Sequence, residues 1–368
     1  MEGSRAPEYD TIVADDGSPT AHPIVDCGPL LGESGESGES GESGDAAAVA
    51  KAVGRRMIAA LVNRGYFFAD AKAVLPMALM RQAYSATASA HALPEELKAS
   101  YVGLERARLY FSPSGAEDDY EVGTKASCAV WSFGRTGLEG RLPALAASEP
   151  ASMHEFDAFA DTLYAAQDRL ADAVMLALAA GLGLPPDAFS QHRGGDLGTI
   201  RFMSYPPAEP VSSEDDRGIS AHTDFEFFTL MHQDSEGVQF MLPPTAPEGA
   251  GQWTDAPVRP GQFVIIVGDM LERWTNGYLR ATPHRVLPKP WQRHSIIRFV
   301  AVHPSTLVEP LPPFVTAERP AAYTAVTMQE HMDVTLRNLD EGKGAWDRET
   351  ERSLTATYVY GEPSSSKL

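Results

Sequence analysis

The sequence predicts an α+β fold with a mainly β core of jelly-roll type and helical additions at its N- and C-terminal ends. From Thr199 onward, short runs rich in Val, Ile and Phe alternate with turns that contain Pro and Gly, a pattern typical of β-sandwiches and barrels. Helical periodicity of apolar residues occurs before and after this strand region. The chain has 368 residues, 43% of them hydrophobic, which is enough for one large folded unit or two ordinary domains.

The N-terminal region, residues 1–185, is expected to pack on the core as a mixture of helices and strands. A strand-like stretch at 23–26 precedes the run GESGESGESGESG at 32–44, which contains no apolar residue. Because such a run buries nothing, we expect a flexible inserted loop rather than a domain boundary. An amphipathic helix follows, with apolar residues at Val49, Val53, Met57 and Leu61.

The rest of this region is expected to contain a strand and two helical stretches. The segment GYFF at 65–68 is a predicted strand, and Leu93-Pro94-Glu95-Glu96 is a start signal for a polar helix. A long helix is predicted over 152–182, where Gly181 and Gly183 provide a stop. Its apolar face, suited to backing a sheet, carries Phe156, Phe159, Leu163, Leu170 and Val174.

The jelly-roll core is assigned to residues 186–312 and a C-terminal helical extension with a tail to residues 313–368. The core contains six predicted strands, IRFMSY, FFTLMHQ, GVQFML, FVIIVG, HRVLP and HSIIRFVAVH. The extension has an apolar stripe at helical spacing, formed by Ala325, Met328, Met332, Leu336 and Leu339. No convincing second domain is found, so we expect one structural unit.

Charge and cysteine content exclude several classes of function. The chain has 30 Lys plus Arg against 50 Asp plus Glu, a net charge of −20, which argues against a nucleic-acid or an anionic membrane surface as partner. Its two cysteines support neither a disulfide framework nor a zinc cluster. No apolar run approaches a membrane span, and the acidic N-terminus has no signal-peptide core. We therefore expect a soluble, intracellular protein with a small-molecule partner.

The last three residues, Ser366, Lys367 and Leu368, form the tripeptide that peroxisomal import receptors read at a free C-terminus. In a eukaryote this predicts an import receptor as a partner and a peroxisomal location. Otherwise the tripeptide carries no meaning, and a cytoplasmic location is expected.

His222 and Asp224 form the strongest local signal for metal binding. Residues two apart in a strand project to one side, so an imidazole and a carboxylate could meet the same ion. The same spacing occurs at His232/Asp234 and His331/Asp333, so the pattern alone is weak.

His284 distinguishes the first pair, because it lies in a turn before a strand 60 residues beyond Asp224. Two histidines and one carboxylate leave three positions open on an iron, which is the arrangement of non-haem Fe(II) oxygenases.

A carboxylate receptor is predicted next to this metal site. Arg293 and Ser295 are two residues apart in a strand, so a guanidinium fork and a hydroxyl share one face. Tyr205 ends another strand, before Pro206 and Pro207, and offers a second hydroxyl.

With these motifs the sequence resembles the isopenicillin N synthase-like branch of the Fe(II)/2-oxoglutarate-dependent oxygenases. The resemblance covers most of the chain, in the family's order: PIVD at Pro23, GYFF, LPEELK, RFMSYPP, HTDFEFFTLMHQD, GVQF, GQFVIIVGDMLERWTNGYLRATPHRV and RHSIIRF. It implies a double-stranded β-helix, the jelly roll of this family.

The resemblance also implies a site and a reaction. His222, Asp224 and His284 would bind Fe(II), while Arg293, Ser295 and Tyr205 would hold the distal carboxylate of 2-oxoglutarate. The implied activity is a dioxygenase that uses O₂ and releases succinate and CO₂ while it hydroxylates, desaturates or cyclises a metabolite.

Two features leave alternatives open. Met203 stands where the family usually has Asn, which removes a polar contact near the cosubstrate. Some members keep the Arg-x-Ser pair without using 2-oxoglutarate. An iron-dependent oxidase that takes electrons from its substrate therefore remains an alternative, as does a non-catalytic jelly-roll binding protein.

The substrate pocket is predicted from strand period. Arg201 and Met203 share the face of Tyr205, Glu226 that of Asp224, and Phe299 that of Ser295. We expect Arg201 to meet an acidic group on the substrate and Phe299 to form an apolar wall. The alternative is that Arg201 and Glu226 pair with each other or reach solvent.

Overall fold

A computed structural model of the protein describes residues 22–32, 43–101, 108–111, 120–121, 126–134, 146–195, 197–208, 218–242, 251–347 and 352–354. Most of the GES run and the terminal Ser366, Lys367 and Leu368 lie outside these ranges. The flexible loop, the peroxisomal address and the intracellular location therefore stay predictions.

The N-terminal region alternates short strands with helices. Its elements are β1 (Ile24–Asp26), α1 (Ser43–Arg64), β2 (Tyr66–Asp70), α2 (Met77–His91), α3 (Glu95–Ala99), β3 (Arg108–Phe111), β4 (Ala129–Gly134) and α4 (Ala151–Gly181). The helix predicted over 152–182 matches α4 within one residue. Sequence periodicity missed α2, whose segment MALMRQAYSATASAH has few large apolar residues, and the helix expected after Leu93 is the five-residue α3.

The central region supplies eight strands. They are β5 (Thr199–Tyr205), β6 (Ile219–His222), β7 (Phe228–Gln233), β8 (Val238–Leu242), β9 (Gln252–Asp255), β10 (Gln262–Val267), β11 (His284–Val286) and β12 (Arg293–Val300), with the short helix α5 (Asp269–Trp274) after β10. The C-terminal elements are β13 (Leu307–Val308), β14 (Val326–Thr327), α6 (Met328–Asp340), β15 (Trp346–Asp347) and β16 (Arg352–Ser353).

Two sheets form the core. The larger has the order β1-β2-β10-β7-β12-β5-β4-β3, and the smaller has the order β6-β11-β8-β9. Along the chain β5, β7, β10 and β12 enter the larger sheet while the strands between them enter the smaller one, which is jelly-roll topology. The predicted double-stranded β-helix with helical additions is confirmed.

Helices cover the outer face of the larger sheet. The buried faces of α1, α2 and α4 belong to one apolar cluster with residues of β5, β7 and β12. α1 and α4 meet at two glycines, where a Cβ on Gly54 would lie 1.8 Å from the carbonyl oxygen of Ala177. Only glycine permits this backbone approach.

α6 differs from its prediction. It begins at Met328 behind a capping box made by Thr327 and Glu330, so Ala325 precedes the helix. Its buried residues are Met328, His331, Thr335 and Asn338, whereas Leu336 of the expected apolar stripe is 39% exposed. One buried polar residue of this face, His331, lies against the buried carboxylate of Asp269, described below.

Within the described ranges, none of the helices combines the length and the apolarity needed to cross a bilayer.

Candidate metal centre and carboxylate pocket

The structure brings His222, Asp224 and His284 together. In the described part of the chain they are the one group of three or more His, Cys, Asp or Glu residues whose ligand atoms converge, all within 4.8 Å of one another. The Nε2 atoms of His222 and His284 lie 3.8 and 3.7 Å from the Asp224 carboxylate. All three side chains are buried.

Strand pairing produces this convergence. His222 ends β6, and His284 begins β11 as its direct antiparallel partner, so both imidazoles project to the same side. Asp224 lies just past the end of β6, where the chain leaves the sheet. The three candidate ligands thus come from one edge of the smaller sheet.

Backbone carbonyls set the tautomer of both histidines. The Nδ1 atoms of His222 and His284 lie 2.9 Å from the Ser220 carbonyl and 3.0 Å from the Thr282 carbonyl. An N–H on each Nδ1 leaves the lone pair of each Nε2 directed at the centre of the group. Burial, followed by the charge of His284, holds the pKa of His222 well below its usual value, so this imidazole is neutral and ready to bind a cation.

Asp224 is prepared for the same role. Thr229 donates a hydrogen bond to its Oδ2 atom, which leaves Oδ1 facing the two imidazoles. Burial raises the pKa of Asp224, and a buried carboxylate of this kind gains most from a neighbouring cation.

Arg293 forms the carboxylate pocket on the larger sheet. Its guanidinium is buried, and Nη2 donates to Gln233 Oε1 at 3.0 Å and to Ser295 Oγ at 2.9 Å. Among the described residues, no group accepts a hydrogen bond from its Nε or Nη1 atom. A buried guanidinium with two unused donors suits an anionic ligand.

Tyr205 and Gly237 shape this pocket. The Arg293 guanidinium stacks over the Tyr205 ring at 4.2 Å, so Tyr205 lies directly against the predicted carboxylate receptor. Burial raises the pKa of the Tyr205 phenol. A Cβ on Gly237 would lie 2.9 Å from Arg293 Nε, so the glycine keeps space beside the guanidinium.

A cavity opens beside the candidate ligands, and Tyr205 joins its wall to the carboxylate pocket. Its wall contains the candidate ligands together with Arg201, Met203, Tyr205 and Phe299. The Arg201 guanidinium lies 4.9 Å above the Phe299 ring, and none of the described residues accepts a hydrogen bond from its buried Nε atom.

Glu226 is placed differently from the other predicted substrate residues. It is buried, but it is not part of the described cavity wall. Burial, and then the charge of Asp224, raises its pKa to about 7. No ion pair joins it to Arg201 within the described chain, although the guanidinium lies near enough to lower its pKa.

Sequence reasoning missed three contributors to this region. The Tyr120 ring stacks on His222 at 3.9 Å with 7° between the planes. Thr229 and Gln233 supply the contacts to Asp224 and Arg293 described above. Thr229, Met231 and Gln233 are two residues apart and share one face of β7, so strand period could have indicated them. Nothing in the sequence near Tyr120 marks that residue.

The other two His-x-Asp pairs do not gather metal ligands. His232 Nδ1 lies 2.5 Å from the Tyr84 hydroxyl, while Asp234 pairs with His294 at 3.0 Å. His331 faces Asp269 at 3.4 Å.

Comparison with known proteins now adds to this geometry. Residues 197–302, which contain every candidate ligand and the carboxylate pocket, match the family model of the 2OG-Fe(II) oxygenase superfamily. The predicted resemblance to the Fe(II)/2-oxoglutarate-dependent oxygenases is thus confirmed. The cofactor set of the superfamily is Fe(II), 2-oxoglutarate and O₂, and the predicted enzyme class, a 2-oxoglutarate-dependent dioxygenase, is confirmed.

Curated relatives agree with this assignment. The chain is 29% identical over 248 residues to a "2-oxoglutarate-Fe(II) type oxidoreductase" of Aspergillus fumigatus, covering 66% of this chain and 68% of the relative. It is 27% identical over 328 residues to the Emericella nidulans "2-oxoglutarate-Fe(II) type oxidoreductase hxnY", with coverage of 85% and 88%.

A solved structure shares the fold. A Neurospora crassa protein, crystallised in complex with alpha-KG and thymine, superposes with a TM-score of 0.68 at 22% identity, covering 87% of this chain and 96% of that protein.

Proposed function

We propose that this oxygenase binds Fe(II) through His222, Asp224 and His284, holds 2-oxoglutarate on Arg293, and oxidises a small molecule that carries an acidic group. The observation that carries the proposal is the pairing of two groups inside one sandwich. A converging His/Asp/His set lies on the smaller sheet, and a buried Arg with two unused donors lies on the larger sheet.

When bound, Fe(II) with 2-oxoglutarate and O₂ supplies the oxidant for the substrate, with release of succinate and CO₂. The side chains of the protein position 2-oxoglutarate for this reaction. Arg293 binds the distal carboxylate through Nε and Nη1, while Ser295 and Gln233 fix the guanidinium from its other edge. Tyr205 supports it from below, and the burial of these groups excludes water from the charged contact.

Arg201 supports the acidic character of the substrate. It lies in the wall of the cavity, beside the candidate ligands, and its buried Nε faces no acceptor in the described chain. A guanidinium in the wall of such a cavity, with a donor left without an acceptor, favours an anionic ligand. Phe299 under the guanidinium offers an apolar surface to the rest of the ligand.

The test is succinate formation by purified protein supplied with Fe(II), O₂ and 2-oxoglutarate. We expect succinate above the level given by His222→Ala. We also expect Arg293→Met to raise the KM for 2-oxoglutarate at least about tenfold, because it removes a charged bidentate contact.

The competing functions give different results in the same assay. With candidate substrates added, an iron oxidase that takes electrons from its substrate would consume O₂ without forming succinate. A binding protein would neither consume O₂ nor form succinate. Either of these results contradicts the proposal.

A further inference from the structure

A buried carboxylate behind the metal centre belongs to neither the ligand set nor the carboxylate pocket. Asp269 is fully buried at the first position of α5. Its Oδ1 accepts a hydrogen bond from Thr223 Oγ1 at 2.8 Å. Thr223 stands between the candidate ligands His222 and Asp224, so one bond ties the ligand-bearing segment to α5.

The backbone of α5 strengthens this contact. The N–H of Asp269 donates to the Asp224 carbonyl at 2.9 Å, and the N–H of Met270 donates to the Glu226 carbonyl at 3.1 Å. A Cβ on Gly268 would lie 2.2 Å from the Glu226 carbonyl oxygen, so glycine is required for this approach. The segment that follows β6 is thus wrapped on the first turn of α5.

The other side of Asp269 faces the C-terminal strap, by which we mean the described residues 328–347 and 352–354. Ser353 Oγ donates to Asp269 Oδ2 at 3.2 Å, and His331 Nε2 lies 3.4 Å from the same oxygen. One carboxylate therefore joins α5, the strap and the ligand-bearing segment.

We propose that Asp269 is a positioning residue of the metal centre, which acts through Thr223 to hold the Asp224 carboxylate toward the two imidazoles. This inference rests on the proposed metal site. Groups that orient metal ligands in this way typically change metal affinity by about 10- to 100-fold when they are removed.

Glu272 provides a matched control on the same short helix. It is 2% exposed, and its Oε1 accepts hydrogen bonds from Tyr323 and Arg352, which anchors the strap at a second point. Its side chain makes no described contact with residues 222–224. Its Oε2 accepts a hydrogen bond from the Ala281 N–H at 2.6 Å, and the amide oxygen of glutamine can keep this contact before His284. Glu272→Gln therefore removes a buried charge and loosens the strap without breaking a contact to residues 222–224.

The experiment measures Co(II) affinity and the visible Co(II) absorption spectrum of the full chain. We expect Asp269→Asn to weaken Co(II) binding about 10- to 100-fold and to change the spectrum. Glu272→Gln should lower Tm but leave Co(II) affinity within about twofold of the wild type.

Thr223 variants test the route of the effect and decide the matter if Asp269→Asn does not fold. Thr223→Val should weaken Co(II) binding, whereas Thr223→Ser, which keeps the hydroxyl, should restore it. The double variant Asp269→Asn/Thr223→Val should bind no more weakly than the weaker single variant, since the first change weakens and the second removes the same hydrogen bond.

Two outcomes overturn the inference. In the first, Thr223→Val, and Asp269→Asn if it folds, bind Co(II) within twofold of the wild-type affinity. In the second, Glu272→Gln weakens Co(II) binding as much as these variants do. Absence of Co(II) binding by the wild type is a separate result, which would contradict the proposed function itself.

Discussion

Single residues decide what this site can bind, and Arg201 is the clearest case. Its guanidinium lies in the cavity wall and over Phe299, with no described acceptor for its Nε. On the proposed function, we expect the charge of this side chain, rather than the net charge of −20, to set the ligand preference of the cavity. The same applies to Arg293 on the cosubstrate side.

Arg201 therefore predicts a preference for acids over their neutral esters. In a screen of carboxylic acids paired with their methyl esters, we expect the acids that stimulate succinate formation to do so at least about tenfold more than their esters. Arg201→Met should remove this difference but keep the substrate-independent succinate formation of the wild type. Equal stimulation by acid and ester would contradict the prediction.

At this scale, sequence could predict residues whose chemistry is rare and whose spacing is regular. His222 and Asp224 are two apart, as are Arg293 and Ser295, and strand geometry gives such pairs a common face. Tyr120 and Asp269 could not be predicted in the same way. Each reaches the site from a distant segment, and only the packing of those segments places them there.

Among the contacts between elements, the one between α1 and α4 leaves very little room for any added side-chain atom. Gly54 and Gly181 bring the two helix backbones together, and a Cβ on Gly181 would lie 2.6 Å from the Gly54 carbonyl carbon. Because α4 packs against the larger sheet, this contact fixes the layer behind the strands that carry Arg293 and Tyr205.

Gly54→Ala should therefore destabilise the fold even though alanine is the better helix former. We expect the free energy of unfolding to fall by about 1–3 kcal/mol, because the helices must move apart. Urea unfolding of Gly54→Ala beside Ala52→Ser, a change on the exposed face of α1, measures the effect. The prediction is wrong if the two variants unfold at the same urea concentration.

α6 shows where periodicity fails for an element. Its apolar residues have helical spacing, but the helix turns His331, Thr335 and Asn338 toward the interior. Helical periodicity is read from the spacing of apolar residues. It gives no sign that a polar residue such as His331 is buried against a carboxylate such as Asp269 from another segment. The strands were predicted better, because their β-branched and aromatic runs are bounded by Gly and Pro.

For the molecule as a whole, buried histidines link stability to pH. His232 is buried at 6% exposure, and burial lowers its pKa to about 4. In the unfolded chain it has an ordinary pKa of about 6.5. Between these pH values the imidazole is protonated in the unfolded state but neutral in the folded state. The free energy of unfolding is therefore highest above pH 6.5 and falls as the pH drops toward 4.

A His232→Gln variant should accordingly be less sensitive to acid. From pH 7 to pH 5 we expect the wild type to lose about 2 kcal/mol more free energy of unfolding than this variant. Urea titrations at both pH values check this, with His154→Gln at an exposed position of α4 as the control. An identical loss in the wild type and His232→Gln would refute it.

The division of the site between two sheets has a further consequence. The candidate metal-binding histidines belong to β6 and β11 of the smaller sheet, while Arg293 and Tyr205 belong to β12 and β5 of the larger one. The spacing of facing sheets, about 10 Å, is set by packing throughout the sandwich and not by any one side chain. On the proposed binding mode, the spacing of the sheets limits the length of dicarboxylate that fits, so we do not expect a change at one pocket residue to switch the enzyme to a shorter or longer keto acid.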